Sequence, residues 1–216
     1  DGNLGPTVFT RTTDSGATWE TPRSIHDPGV LRQTINNQVV VLPDGALVAS
    51  FTRLNMAPTR AAVLMAMRSA DKGVTWSQPI VVAQVQSRGA TDPESGTSIR
   101  DGANLGSIAA GRNGRIAMVW QDSRFSGGQR DGIAYSQSTD GGLTWSTPVQ
   151  LNQAPAVQAY VPTVHIRDDG TIGVTYYDLR NNTVDPAALP TDYWLVTSPD
   201  GGNWTDMTAK LTALGA

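Results

Sequence analysis

One eight-residue phrase occurs four times in this chain. Thr12-Thr13-Asp14-Ser15-Gly16-Ala17-Thr18-Trp19 returns as Ser69-Ala70-Asp71-Lys72-Gly73-Val74-Thr75-Trp76 and as Ser138-Thr139-Asp140-Gly141-Gly142-Leu143-Thr144-Trp145. A shortened copy, Ser198-Pro199-Asp200-Gly201-Gly202-Asn203-Trp204, closes the series. The four aspartates stand 57, 69 and 60 residues apart. One supersecondary unit is therefore reused, and the chain must be read as an array before any single residue is weighed. Each phrase has the chemistry of a hairpin turn. Asp and Ser/Thr bond the backbone N–H groups of the turn, Gly supplies a positive φ, and Trp offers a ring to pack over the hairpin.

The phrase resembles the Asp-box (BNR repeat) of sialidases and related β-propellers, Ser/Thr-x-Asp-x-Gly-x-Thr-Trp. The resemblance implies an all-β fold of four-stranded antiparallel blades, with Asp14, Trp19, Asp71, Trp76, Asp140, Trp145, Asp200 and Trp204 as structural box residues. The same box occurs in sialidases, other glycosidases, sorting receptors and non-catalytic propellers, so it speaks for the fold and not for an activity.

The rest of each repeat can be aligned on its box. Tight-turn signals at Pro43-Asp44-Gly45, Arg112-Asn113-Gly114 and Asp168-Asp169-Gly170 precede the second, third and fourth boxes. Apolar runs flank each turn: Gln38–Leu42 with Ala46–Thr52, Leu105–Ala110 with Arg115–Gln121, and Val161–Ile166 with Thr171–Tyr177. Such near-continuous runs suit inner strands covered on both faces. A third strand leads into each box (Val63–Arg68, Gly132–Gln137, Tyr193–Thr197), and Trp-x-x-Pro introduces a fourth after the first three boxes. Before the first box there is room only for Thr7–Thr12. The expected organisation is one partial propeller over 1–216. Its blades fall near 1–28 (outer strands only), 29–85, 100–152 and 158–212. That is about three and a half blades, where closed propellers usually have 4–8. The resemblance implies part of a six-bladed propeller, with open blade edges available for self-association.

Composition narrows the chemistry. The chain of 216 residues has 22 Gly, 13 Pro and a net charge of −3, with no Lys/Arg run to neutralise a phosphate backbone. Nucleic acid is excluded as a partner on that ground. No apolar stretch approaches the ~20 residues a membrane-spanning helix needs. There is no cysteine, hence neither a disulfide nor a thiolate metal site. The histidines are His26 and His165, and His165, inside an apolar run, reads as a core residue. No cofactor is demanded. The resemblance implies a secreted or cell-surface bacterial protein whose partner is a glycan or glycoconjugate.

Function in such a fold belongs to the loops opposite the box turns: 53–62, 85–104, 122–132, 152–160 and 178–192. Two of these open alike, with Asp122-Ser123-Arg124 and Asp178-Leu179-Arg180. Counted from the hairpin glycine, Asp stands at +8 and Arg at +10, on one face of a strand. In the first full repeat, +8 is Arg53 and +10 is Asn55. Two readings stand: repeat-encoded ion pairs, or a ring of arginines facing an anionic ligand. The resemblance implies the second, since sialidases hold a sugar carboxylate with three arginines, here Arg53, Arg124 and Arg180.

The resemblance also implies a tyrosine nucleophile with a glutamate, and an aspartate acid/base. The family's Phe-Arg-Ile-Pro motif has its nearest counterpart in Tyr160-Val161-Pro162, with Tyr160 in place of arginine. The catalytic candidates are Asp101, Glu94 and Tyr160. The loop Thr91–Asp101 is rich in carboxylates, and Asp92, Glu94 and Asp101 form an alternative Ca²⁺ ligand set. Trp120, Tyr160, Tyr176 and Tyr177 could stack on sugar rings or fill the core. Together these residues lead to an exported sialidase-like glycoside hydrolase, or part of one. The competing reading is a non-catalytic propeller that binds carbohydrate or protein.

Overall fold

The structure is a computed structural model that describes residues 5–56, 60–185 and 187–207. The end of the expected last blade, 208–212, lies outside the described residues. A two-stranded hairpin comes first, β1 (Thr7–Phe9) with β2 (Arg23–His26). Three four-stranded antiparallel sheets follow. The first is β3 (Arg32–Val41), β4 (Leu47–Asn55), β5 (Ala62–Ser69) and β6 (Ile80–Val85). The second is β7 (Ser107–Ala110), β8 (Ile116–Asp122), β9 (Gly132–Ser138) and β10 (Val149–Gln150). The third is β11 (Ala159–Ile166), β12 (Ile172–Asp178), β13 (Asp192–Ser198) and β14 (Thr205–Asp206). Strands are hydrogen-bonded in chain order within every sheet. These are propeller blades, three whole and one reduced to its outer hairpin. The first expected strand is shorter than Thr7–Thr12, because Thr12 already belongs to the box turn.

By contacts the chain divides at Gln84/Val85 into two compact units. The first holds the hairpin and the first sheet, and Ile25 and Trp76 pack on its core of Ala49, Phe51, Val63, Met65 and Met67. The second holds the other two sheets around Val119, Ile133, Tyr135, Ile172, Val174, Tyr176 and Val196. No helix among the described residues is long and apolar enough to cross a membrane.

The boxes are built as the sequence suggests. In the first, Thr12 Oγ1 donates to Asp14 and accepts from Gly16 N–H, while Asp14 accepts from the N–H and hydroxyl of Thr18. Asp71 and Asp140 repeat the pattern. In the shortened fourth box, Gly201 N–H takes the serine hydroxyl one residue early. The tryptophans behave differently from expectation. Two of them reach beyond their own hairpin to the strands before it: Trp76 meets Phe9 edge-on at 5.3 Å, and Trp204 meets Tyr135 at 4.9 Å. A Cβ on Gly73 would lie 2.8 Å from the Phe9 ring, so this φ of +88° position has no room for a side chain. Trp19, in the first hairpin, is 62% exposed.

Burial departs from expectation in the third sheet. Every residue of β8 is buried, but β12 alternates, with Val174 and Tyr176 inward and Thr175 and Tyr177 outward. Only one face of this sheet is covered within its unit. His165 lies on the other face and is exposed, contrary to the core role read from its apolar neighbours.

Candidate functional site

The +8/+10 motif resolves into two different arrangements. In the second sheet Asp122 is wholly buried and accepts from Arg124 N, Nε and Nη2 and from Trp120 Nε1, all at 2.8–2.9 Å, and from Gln86 N–H at 3.3 Å. The third sheet repeats this. Asp178 is buried and bonded by Arg180 N and Nε, with Arg180 Nη2 2.7 Å away. The Arg180 guanidinium also donates to Tyr176 OH and lies 3.5 Å from the Trp194 ring centroid. Burial alone pushes the Asp122 carboxyl up, but the bonds from Arg124 and Trp120 hold it below the usual carboxylate range. Arg124 and Arg180 are thus committed to repeat-encoded ion pairs, with Asp122 and Asp178 as their partners. The structure does not present three arginines to a ligand.

The first sheet breaks the pattern. Arg53 replaces the aspartate, and among the described residues it has no ion pair. Its Nε is buried without a hydrogen-bond partner, and so are Asn55 Oδ1 and His26 Nε2. The His26 ring stacks on Phe51 at 5.2 Å. Burial, then the charge of Arg53, holds the His26 imidazole below its usual pKa. Burial, then the charge of Arg32, lowers Arg53 as well. Asp27 stands beside His26, yet its carboxylate accepts the Gly29 N–H. Arg32 and Asn55 face each other across β3 and β4. This end of the first sheet therefore gathers two guanidiniums, an imidazole and a carboxamide whose Oδ1 is unpaired. Of these groups the guanidiniums can donate to an oxyanion. Sequence reasoning named Arg53 but missed Arg32 and His26; the signal was the loss of Asp at +8.

The catalytic candidates occupy structural places. Asp101 accepts N–H bonds from Ala90 and Ala103 and a bond of 2.6 Å from Gln121 Nε2. The same Gln121 nitrogen reaches the fully buried Asp131, which also accepts from Ser87, Arg88 and Gly89. These carboxylates pin the 86–104 loop to β8. Tyr160 is buried in a small cluster with Ala90 and Leu179, against Ile99 and Leu189. Its hydroxyl meets Thr191 Oγ1 at 3.2 Å, and burial pushes the phenol up. Glu94 lies on the exposed side of the loop, where it accepts from Asn182. No Tyr–Glu nucleophile pair forms from these residues.

The Ca²⁺ set is not assembled either. Asp92 is spent on the Glu94 N–H and the Ser95 hydroxyl, and no group of three or more His, Asp or Glu among the described residues could hold a metal. Of the sugar-stacking aromatics, Trp120, Tyr160 and Tyr176 are buried. Tyr177 is 37% exposed, in a row with Tyr160 and Tyr193 across the third sheet.

The loops of the second unit also border an open hollow of about 340 Å³, lined by Pro93, Arg130, Val157, Gln158, Leu179 and Asn182 among others. It sits among the loops expected to carry function, but sequence reasoning named neither Arg130 nor Asn182 as a site residue.

No family model and no curated relative matches this chain. Solved structures do. A Hadza microbial sialidase superposes with a TM-score of 0.57 at 20% identity, covering 95% of this chain and 40% of that one. A protein of unknown function from Dyadobacter fermentans gives 0.56 at 21%, covering 94% and 58%. An ulvan polysaccharide lyase, solved with -[GlcA(1-4)Rha3S]-, gives 0.53 at 14%, covering 95% and 51%. The chain thus shares the sialidase-type propeller fold and spans roughly half the length of these relatives.

Proposed function

We propose that this chain supplies the anion-recognising part of a glycan-directed propeller, an exported sialidase-like glycoside hydrolase or a fragment of one. The observation that carries the reading is Arg53. Its two repeat counterparts are carboxylates neutralised by their own arginines, whereas Arg53 keeps a buried, unpartnered Nε beside Arg32, His26 and Asn55. Holding an uncompensated guanidinium partly out of water costs free energy that a bound carboxylate returns. The sialidase, by its name, and the ulvan lyase, by its bound saccharide, support acidic sugars as the ligand class.

A second reading, a non-catalytic propeller binding carbohydrate or protein, is favoured by the burial of Tyr160 and the commitment of Glu94 to Asn182. Titration calorimetry with N-acetylneuraminic acid and glucuronic acid, and with lactose as the neutral control, tests the shared claim. We expect an acidic sugar to bind and Arg53→Met to weaken it at least tenfold. Equal binding of lactose, or indifference to Arg53→Met, overturns it. Turnover of a fluorogenic sialoside by the chain separates the hydrolase from the binding module.

A further inference from the structure

Two of the boxes dock on the strands before them in the same way. The Trp ring lies on the side chain three residues ahead of the previous box: Trp76 on Phe9, three before Thr12, and Trp204 on Tyr135, three before Ser138. The box glycine sits against that same side chain. A Cβ on Gly73 would lie 2.8 Å from the Phe9 ring, and one on Gly201 would lie 2.5 Å from the Tyr135 hydroxyl. Side chains of the earlier strands then donate to the carbonyls of the arriving turn: Arg11 to Lys72, Arg23 to Gly73 and Val74, and Arg115 to Pro199 at 3.2 Å.

The first box is a wedge without a seat. Trp19 stands mostly in solvent, and a Cβ on Gly16 would meet nothing within 4 Å. Val8, on the face of β1 turned away from Phe9, is exposed as well. The third sheet is a seat without a wedge. Leu195 stands three residues before Ser198, the place held by Phe9 and Tyr135 ahead of their boxes. It lines an open groove of about 390 Å³ with Thr163, His165, Thr175, Thr197 and Met207. Arg167 borders the same groove. Its ion pair with Asp169, 3.3 Å long and largely exposed, is weak and can be exchanged.

We infer that this groove is the docking site for the first hairpin of a second copy of this chain, with Trp19 seated on Leu195. Shape, hydrogen bonding and charge all favour that occupant. Gly16 leaves the turn free to approach closely, as Gly73 and Gly201 do at their own seats. Arg167 and the Thr197 hydroxyl can donate to the carbonyls of the arriving turn, the part Arg11, Arg23 and Arg115 play elsewhere. The exposed Asp14 carboxylate of the first box complements the Arg167 guanidinium in charge. A large, rigid indole is the usual anchor of such a contact. The two surfaces differ, so the contact is heterologous, and every copy carries one of each. None of the residues around Arg53 takes part.

Sedimentation velocity of the full chain, from micromolar to near-millimolar concentration, tests the docking. The mass should rise above that of one chain as concentration increases, and Trp19→Ala should move the midpoint about tenfold or more. Leu195→Asp should act alike. Mixing the two variants should then restore a one-to-one dimer, because one keeps its Leu195 seat and the other its Trp19 wedge. Trp19 is exposed, so its variant decides alone should Leu195→Asp fail to fold. A chain that stays monomeric throughout, or association that Trp19→Ala leaves unchanged, overturns the inference. So does a mixture of the two folded variants that stays monomeric.

Discussion

Asp122 and Arg53 occupy the same place in successive repeats and illustrate opposite uses of a buried charge. Asp122 is fully buried, with every bond satisfied by Arg124, Trp120 and the loop backbone. Removing its charge in Asp122→Asn leaves Arg124 and Trp120 short of an acceptor. This should lower the unfolding free energy by about 3 kcal/mol, read by urea denaturation. Arg53→Met should do no harm, and should raise stability by up to about 1 kcal/mol, because an apolar chain of similar length replaces an unpaired cation.

The box aspartates contribute to the acid limit of the fold. Bonds from Thr18 and Thr75 hold Asp14 and Asp71 at about 2. At Asp140 burial acts in the opposite direction, but the Thr144 and Ser138 bonds outweigh it and bring it also to about 2. Since these folded pKa values lie below the unfolded value near 3.9, their contribution is complete above about pH 5 and is lost as pH falls toward 2. The melting temperature should therefore stay level on this account from pH 7 to about 5 and drop below about pH 4. A triple Asp→Asn variant at positions 14, 71 and 140 should show a shallower acid limb.

At the scale of elements, the box tryptophan is a wedge between sheets. Trp204 seats on Tyr135 of the preceding sheet, whereas Trp19 stands mostly in solvent. Trp204→Ala should cost about 3 kcal/mol and Trp19→Ala less than about 0.5 kcal/mol, a contrast that thermal melts of the two variants will read. A second recurring device is a bulge near the start of the first strand. The registers of β3 and β11 slip at the same distance from their hairpins, with Asn36 at φ +56° and Val161 at φ +51°. A β-branched residue is strained in that region. In the third sheet this bulge lies beside Tyr160, whose ring enters the cluster with Ala90 and Leu179. The position resembled a nucleophile's in sequence, and packing has made it a strut.

At the scale of the molecule, Asp92, Asp101 and Asp131 are spent on turns and loop anchors, and no group of three or more His, Asp or Glu among the described residues could hold a metal. Excess EDTA should accordingly shift the melting temperature by less than about 1 °C, and added Ca²⁺ should not raise it. A Ca²⁺-dependent rise would mean that the Asp92–Glu94 loop rearranges to hold the ion.

How much of this was legible in advance follows from what kind of information each feature needs. Hairpin glycines, box aspartates and the strands between them are local: a turn requires Gly for its positive φ and Asp for its N–H groups, within a few residues. Repetition then multiplied a weak local signal into a blade count, and the +8/+10 spacing even paired Asp122 with Arg124 and Asp178 with Arg180. The sites escaped because their members are distant in sequence. His26, Arg32 and Arg53 meet only when a hairpin folds over a sheet, and Arg130 meets Asn182 only when two loops close on each other. The sequence by itself determined the repeating unit, because its rules act over short stretches of backbone. Tertiary structure alone decided which charges found partners and which did not, because pairing and burial depend on neighbours that no spacing encodes.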